Sequence, residues 1–200
     1  HLEAQGRSGI DPGAGLVDHL VVDEHLSGTN EPLCAISGGC VALFDQVEAE
    51  IGPIEACVFN IGANVRFPIT EMTSRVYQKV WEMAAFAGFL AGREAARVMS
   101  PRGRGTIIFT GATAAIRGGA GFSAFAGAKH SLRALAQSMA RELGPKGIHV
   151  AHVVIDGAID SAFIRETFPD AAERRDRDGL LIPDEIAKNY VWLHQQHRSA

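Results

Sequence analysis

Three short apolar runs, separated by two long helical patterns, dominate the middle of this 200-residue sequence. The runs cover Ala56–Phe59, residues 106–110 and Ile148–Ile155, and their uninterrupted apolar character is typical of strands buried on both faces. Between them, apolar residues recur at helical spacing over residues 73–99 and Ser123–Leu143. Strand, helix, strand, helix, strand implies right-handed parallel crossovers, so we expect an α/β, Rossmann-type three-layer sandwich with a parallel sheet.

The two ends of the chain are less regular than its middle. Residues 1–33 hold scattered glycines and acidic residues, and one compact apolar cluster at residues 16–22 predicts one short strand at most. We expect a short amphipathic helix over 41–51, a charged loop over 173–178 and a final helix after it. Because the sequence does not begin with Met, both ends are expected to be cut or altered. Residues 1–200 are therefore interpreted as one partial domain, in which residues 1–33 are a poorly organised or altered N-terminal segment.

The composition is that of one soluble globular domain, with 46% hydrophobic and 21% charged residues. The 23 acidic and 19 basic side chains are interspersed and give a formal charge of −4, which argues against nucleic acid or a lipid surface as a partner. No apolar stretch is long enough to span a bilayer. The cysteines Cys34, Cys40 and Cys57 lack the paired spacing of a zinc site and favour a reducing, cytoplasmic setting.

The most specific pattern lies within residues 105–157. An apolar strand ends in Thr-Gly-Ala-Thr at 110–113, a glycine-rich loop follows, and Phe-Ala-Gly-Ala-Lys at 125–129 opens the second long helix. This segment closely resembles the short-chain dehydrogenase/reductase family, in which strand 5 carries a catalytic serine and the next helix carries Tyr-x-x-x-Lys. The resemblance implies a Rossmann fold and an NAD(P)-dependent oxidoreductase that acts on a small-molecule carbonyl or alcohol.

Two further turns extend the resemblance to about residues 41–161. Phe-Asn-Ile-Gly-Ala at 59–63 resembles the family's Asn-Asn-Ala-Gly turn after strand 4, with an asparagine and the glycine kept in type. Asp-Gly-Ala-Ile at 156–159 resembles the family's Pro-Gly-x-Ile loop, which lies along the nicotinamide. The implied cofactor is NAD or NADP, with no preference readable. The residues that the resemblance places on the cofactor side are Asn60, Gly62, Ala63, Lys129, Gly157 and Ile159.

The catalytic positions of the family are only partly filled. A tyrosine and a lysine four residues apart share one helix face, so the ammonium can lower the phenol pKa while it holds the ribose hydroxyls. Lys129 is present, but Phe125 stands at the tyrosine position and Ala112 at the serine position, thirteen residues earlier. Thr113 is the candidate substitute for the serine hydroxyl, with Thr110 as the other possibility.

Other family positions also depart from the pattern. Ala84 or Ala85 stands where the family's helix asparagine supports a proton-relay water. Gly-Ala-Gly at 13–15 is only a weak counterpart of the glycine-rich turn that binds the pyrophosphate. Cys34 replaces an aspartate near the adenine, and Asp23 is a weak candidate for the adenosine ribose. We therefore expect NADH and NADPH to bind weakly or not at all.

The histidines do not predict a metal site. His149 and His152 are three apart on an expected strand, so they point to opposite faces and cannot converge on one ion. His194 and His197 share a helix face but have no acidic or cysteine partner nearby.

Two functional interpretations stay open. The first is a divergent NAD(P)-dependent oxidoreductase whose activity is doubtful in this chain, and the alternative is a catalytically silent protein that binds or oligomerises. A homodimer or homotetramer is expected through the alanine-rich faces of the helices at 73–99 and Ser123–Leu143. The resemblance also implies that the N-terminal βαβ portion of the fold is largely missing, so the strand Ala56–Phe59 is expected to be an exposed sheet edge.

Overall fold

The computed structural model describes residues 19–22, 37–167 and 170–197. Within them, four parallel strands form one sheet in the order β1-β2-β3-β4. The strands are β1 (His19–Val22), β2 (Ala56–Phe59), β3 (Gly105–Ala112) and β4 (Ile148–Ile155). The α-helices are α1 (Ser37–Glu50), α2 (Ser74–Trp81), α3 (Ala87–Met99), α4 (Ser123–Leu143), α5 (Ala162–Thr167), α6 (Ala171–Arg175) and α7 (Pro183–Gln195). The predicted α/β architecture with a parallel sheet is confirmed.

The first long helical pattern is interrupted in the structure. Its residues form α2 and α3, joined by a π-helical segment at Glu82–Phe86. The Thr73 hydroxyl caps α2 by accepting a hydrogen bond from the Val76 N–H at 3.2 Å. The apolar periodicity predicts one continuous helix here. A π-helical turn contains one extra residue, which leaves most of the apolar spacing intact, so the spacing does not reveal the interruption.

The expected charged loop at 173–178 is partly wrong. Its first residues belong to α6, where the Arg174 Nε donates to the Asp170 carboxylate at 2.6 Å. The Arg177 guanidinium pairs in the same way with Glu173 at 2.5 Å. Charged pairs four residues apart stabilise a helical turn even where no apolar face is present.

The expected exposed edge at β2 is also wrong. The strand β1 pairs with β2 in parallel over its whole length, from His19 opposite Ala56 to Val22 opposite Phe59. The short strand predicted from the apolar cluster at residues 16–22 therefore forms, and it covers the backbone edge that was expected to be free.

Alternation along β3 separates the two faces of the sheet. Ile107 and Phe109 belong to the main core beside Leu90 of α3 and Leu132 of α4. The intervening residues face α7. The Thr106 hydroxyl is hydrogen-bonded to His194 at 3.0 Å, and the Thr110 hydroxyl to Tyr190 at 2.8 Å. The sheet thus lies between two helical layers. Within the described ranges no helix is long and apolar enough to cross a membrane.

Candidate active site

A cavity of about 740 Å³ opens at the carboxyl ends of β2, β3 and β4. Asn60 directly follows β2, Thr110 and Ala112 lie at the end of β3, and Ile155 is the last residue of β4. Crevices at this edge of a parallel sheet are where α/β proteins bind ligands. The cavity is also lined by Ile61, Gly62, Asn64, Gly111, Thr113, Ala114, Arg117, Gly118, Gly119, Phe122, Phe125, Lys129, Gly157, Ile159 and Ser161.

Lys129 is the buried cation of this cavity, with only 3% of its surface exposed. Its Nζ donates hydrogen bonds to the Ile61 carbonyl at 2.9 Å and to the Thr110 carbonyl at 2.8 Å. These two bonds tie α4 to the ends of β2 and β3, and they compensate for the removal of the ammonium from water. The helix therefore holds its one buried charge at the floor of the cavity.

Phe125 lies one helical turn before Lys129 and also lines the cavity. Its ring is 8% exposed, and its centroid is 5.8 Å from the Lys129 Nζ. An ammonium at this distance from an aromatic face is within the range of a cation–π contact. The ring supplies apolar surface at this position but no ionisable proton.

The two threonines at the end of β3 direct their hydroxyls differently. The Thr113 hydroxyl lies at the cavity and donates to the Asp156 carboxylate on the loop after β4. The Thr110 hydroxyl is bound to Tyr190 of α7, while its backbone carbonyl accepts from Lys129. Of the two candidates for a substitute serine, Thr113 is therefore the one that presents its hydroxyl with a carboxylate partner.

The residues predicted for the cofactor side gather at the same place. The cavity is lined by Lys129 together with Asn60, Gly62, Gly157 and Ile159. Ala63 comes directly after Gly62 in the sequence, and its backbone is in the left-handed region at φ 58°. A Cβ atom on Gly62 would meet no atom within 4 Å, so this glycine faces open space. A Cβ on Gly157 would lie 3.0 Å from the end of the Leu181 side chain, which would have to shift to accommodate it.

The remaining predicted positions separate into two groups. Ala84 and Ala85 lie in the π-helical segment, packed against Ala124 and Ala128 of α4, and carry no polar atom. Residues 13–15, Asp23 and Cys34 lie outside the described residues. Among the described residues, no group of three histidine, cysteine, aspartate or glutamate side chains converges on a metal position.

The position of His152 next to the site was not predicted from the sequence. His152 of β4 packs on Gly111, where an added Cβ would lie 2.2 Å from the imidazole Cε1. Burial, together with the positive charges of Lys129 and Arg133, lowers the pKa of His152 to about 4. In the described part of the chain its buried Nε2 has no hydrogen-bond partner. Only the fold brings these groups together, so no local sequence signal could have identified them.

A smaller cavity of about 400 Å³ lies on the α7 side of the sheet. Its walls are largely apolar, and it shares Asn60, Thr110, Ile155 and Ile159 with the larger cavity. Burial raises the pKa of Tyr190, whose hydroxyl is bound to Thr110 at its wall. Two of its polar residues, Thr110 and Tyr190, are bound to each other, whereas Lys129 and Thr113 line the larger cavity.

The comparisons with known proteins decide the family. The model of the short chain dehydrogenase family matches residues 35–172. The chain belongs to the short-chain dehydrogenase family. Members of this oxidoreductase family generally use NAD or NADP and act on small-molecule substrates.

This chain matches individual relatives over only part of their length. Momilactone A synthase from Oryza sativa subsp. japonica is 33% identical over 144 residues, which cover 69% of this chain and 50% of that protein. The 3-oxoacyl-[acyl-carrier-protein] reductase MabA from Mycobacterium avium is 32% identical over 122 residues, covering 61% and 48% respectively. The chain spans about half the length of these curated relatives.

A solved structure supports the same assignment. A short-chain dehydrogenase from Rhodopseudomonas palustris shares 48% sequence identity with this chain and superposes with a TM-score of 0.67. The match covers 84% of this chain and 67% of that one. The parallel sheet with helices on both faces is therefore the fold of this family.

Proposed function

We propose that the larger cavity holds the nicotinamide–ribose half of NAD or NADP, and that the chain is an oxidoreductase for small carbonyl or alcohol substrates. The observation that carries the proposal is Lys129, a buried ammonium fixed by two backbone carbonyls in a cavity at the carboxyl edge of the sheet. An ammonium is a hydrogen-bond donor, and the ribose hydroxyls of the cofactor are acceptors for such a donor.

The other wall residues fit the same half of the cofactor. Gly62 leaves open space for a close approach, Asn60 offers an amide, and Ile159 offers an apolar surface for a flat ring. The bound cofactor would supply or accept the hydride. Lys129 would hold the ribose, and the Thr113 hydroxyl, kept in place by Asp156, would orient the substrate oxygen. Phe125 can neither give nor take the proton that accompanies hydride transfer.

The missing hydroxyls favour a second candidate, a catalytically silent binding protein of the same family. Ala112 and Phe125 stand at the serine and tyrosine positions, and neither side chain can act as an acid or a base. The two candidates differ in turnover and agree on cofactor binding. A binding measurement therefore tests the site, and a turnover measurement chooses between them.

The binding test is an NMR saturation-transfer titration of NADH and NADPH with the full chain. We expect weak saturable binding, with a dissociation constant on the order of 1 mM, because Gly-Ala-Gly at 13–15 is only a weak sequence counterpart of the glycine-rich turn that binds the pyrophosphate. Gly62→Val should abolish it, since the new side chain projects into open space within the cavity. Gly38→Val is the matched control, because its Cβ also meets no atom within 4 Å but lies away from the cavity in α1. Equal binding by both variants would contradict the proposed position.

We also propose that the chain forms a homodimer or homotetramer in the cytoplasm. The α2–α3 region exposes Tyr77, Trp81 and Phe89, and the Trp81 and Phe86 rings stack at 5.7 Å. Aromatic side chains are enriched at subunit interfaces. Light scattering should give a multiple of 21.3 kDa, and Trp81→Glu should lower it to the monomer mass. Among the described residues, the buried cysteines Cys40 and Cys57 are not joined in a disulfide, which suits a reducing compartment.

A further inference from the structure

We infer that Arg117 binds the carboxylate of the substrate, so that the site takes alcohols or ketones that also carry a carboxylate group. This inference rests on the proposed oxidoreductase function and names its substrate class. It comes from the charges that line the larger cavity.

Two of the described residues that line the cavity are cationic, Arg117 and Lys129, and none is anionic. Lys129 is buried and already donates to two backbone carbonyls. Arg117 is exposed, and within the described residues its guanidinium has neither an ion pair nor a hydrogen bond. Its backbone N–H is bound to the Thr113 carbonyl at 3.1 Å, which fixes the start of the loop that carries it. The cavity thus offers one arginine with all five donors available.

The nearest acidic group does not neutralise this arginine. The carboxylate of Asp156, just outside the lining residues, accepts a hydrogen bond from the Thr113 hydroxyl, and no ion pair joins it to Arg117 in the described chain. A second arginine of the region, Arg66, is engaged differently. Its guanidinium lies 5.7 Å from the centroid of the Phe122 ring, and it does not line the cavity.

The remaining walls define what the rest of such a substrate looks like. Phe122, Phe125 and Ile155 present apolar surface, and the volume of about 740 Å³ is in the range of small-molecule sites. A guanidinium recognises a carboxylate through two parallel hydrogen bonds, which fixes orientation as well as charge. The ligand class is therefore a compact apolar body, such as a ring, with a carboxylate at one end.

The test compares two probes of nearly equal shape, para-fluorobenzoate and para-fluorobenzamide, by fluorine NMR line broadening with the full chain and without cofactor. The parent should bind the benzoate at least about 10-fold more tightly than the amide, as expected for a charge-assisted pair. Arg117→Gln should reduce this preference to about 1-fold, whereas the matched variant Arg66→Gln should keep it. High salt should weaken binding of the benzoate and leave binding of the amide unchanged.

Equal binding of the two probes to the parent, no binding of either, or a benzoate preference that survives in Arg117→Gln would each overturn the inference. The cofactor titration described above is a separate readout. A benzoate preference without nicotinamide binding would keep the carboxylate site and reject the oxidoreductase function, and the reverse result would reject only the substrate class.

Discussion

The Lys129 ammonium lies 5.8 Å from the centroid of the Phe125 ring, one turn earlier on the same helix. Both side chains line one cavity, and the lysine is held by the ends of two strands. The positive charge is therefore directed at a ring that has no proton to release. This relationship makes the site look like a preserved catalytic framework with its acid–base group removed.

Restoring a phenol at this position should reveal the influence of the lysine. In Phe125→Tyr, the neighbouring ammonium favours the phenolate, so the new phenol should have a pKa about 1 unit or more below the usual value of about 10. Absorbance titration of tyrosinate measures it directly. Phe67→Tyr, at a ring that is 38% exposed, is the control and should titrate normally. An unshifted phenol at position 125 would mean that the ammonium does not act on it.

Lys129 should also contribute to stability. Lys129→Met leaves the Ile61 and Thr110 carbonyls without their donor, which should lower the free energy of unfolding by about 2 kcal/mol. The comparison is Lys146→Met, at a side chain that is 52% exposed, where the change should stay within about 0.5 kcal/mol. Urea unfolding of both variants gives the two values. Equal small losses would show that the two carbonyl contacts are not maintained in solution.

His152 predicts a loss of stability in acid. Its pKa is lowered from 6.5 to about 4 in the folded chain, so the unfolded chain binds the proton more readily. Its stabilising contribution is complete above pH 6.5 and is lost as the pH falls towards 4. Because the ring is partly exposed, we expect a loss of about 1–2 kcal/mol instead of the larger value that the full shift would give.

The measurement is the urea midpoint between pH 7 and pH 4. His152→Phe should flatten the profile over this interval, because the substituted ring has no proton to bind. The matched substitution His149→Phe, on the same strand, should leave the profile as steep as in the parent. A parent-like slope in His152→Phe would assign the acid sensitivity to other groups.

Relief of backbone strain at Ala63 is expected to increase stability, in contrast to the substitution at Lys129. Its φ of 58° lies in the left-handed region, which disfavours a Cβ by about 1 kcal/mol. Ala63→Gly should therefore raise the free energy of unfolding by about 0.5 kcal/mol, after the greater freedom of glycine in the unfolded chain is subtracted. Ala120→Gly, in an exposed loop without positive φ, should lower it. Thermal unfolding of both variants compares the signs, and a destabilised Ala63→Gly would exclude the strained backbone.

The parts of the fold that the sequence predicts are those with a local cause. Periodicity and apolar runs are enough for α4 and β4, whose bounds agree with the pattern. The π-helical segment at Glu82–Phe86 could not be predicted, because its apolar spacing matches that of an α-helix. The pairing of β1 with β2 could not be predicted either, because it depends on which strand edge is free in the folded sheet. The site, too, could be predicted only where a local motif marks it. The resemblance identified Phe125 and Lys129, whereas the Thr110–Tyr190 hydrogen bond joins residues 80 positions apart and has no local signal.

The most direct test of a preserved but idle site is the double variant Phe125→Tyr with Ala112→Ser, assayed with NADPH and NADH at millimolar concentration. The readout is kcat/KM for reduction of a panel of ketones and aldehydes, including keto acids. General acid–base groups are typically worth about 10² to 10⁴ in rate, so the double variant should exceed the parent by that order. Phe125→Leu with Ala112→Ser is the control and should show no gain. If the parent already turns over as fast as the double variant, Phe125 is not the lesion and the central claim is wrong.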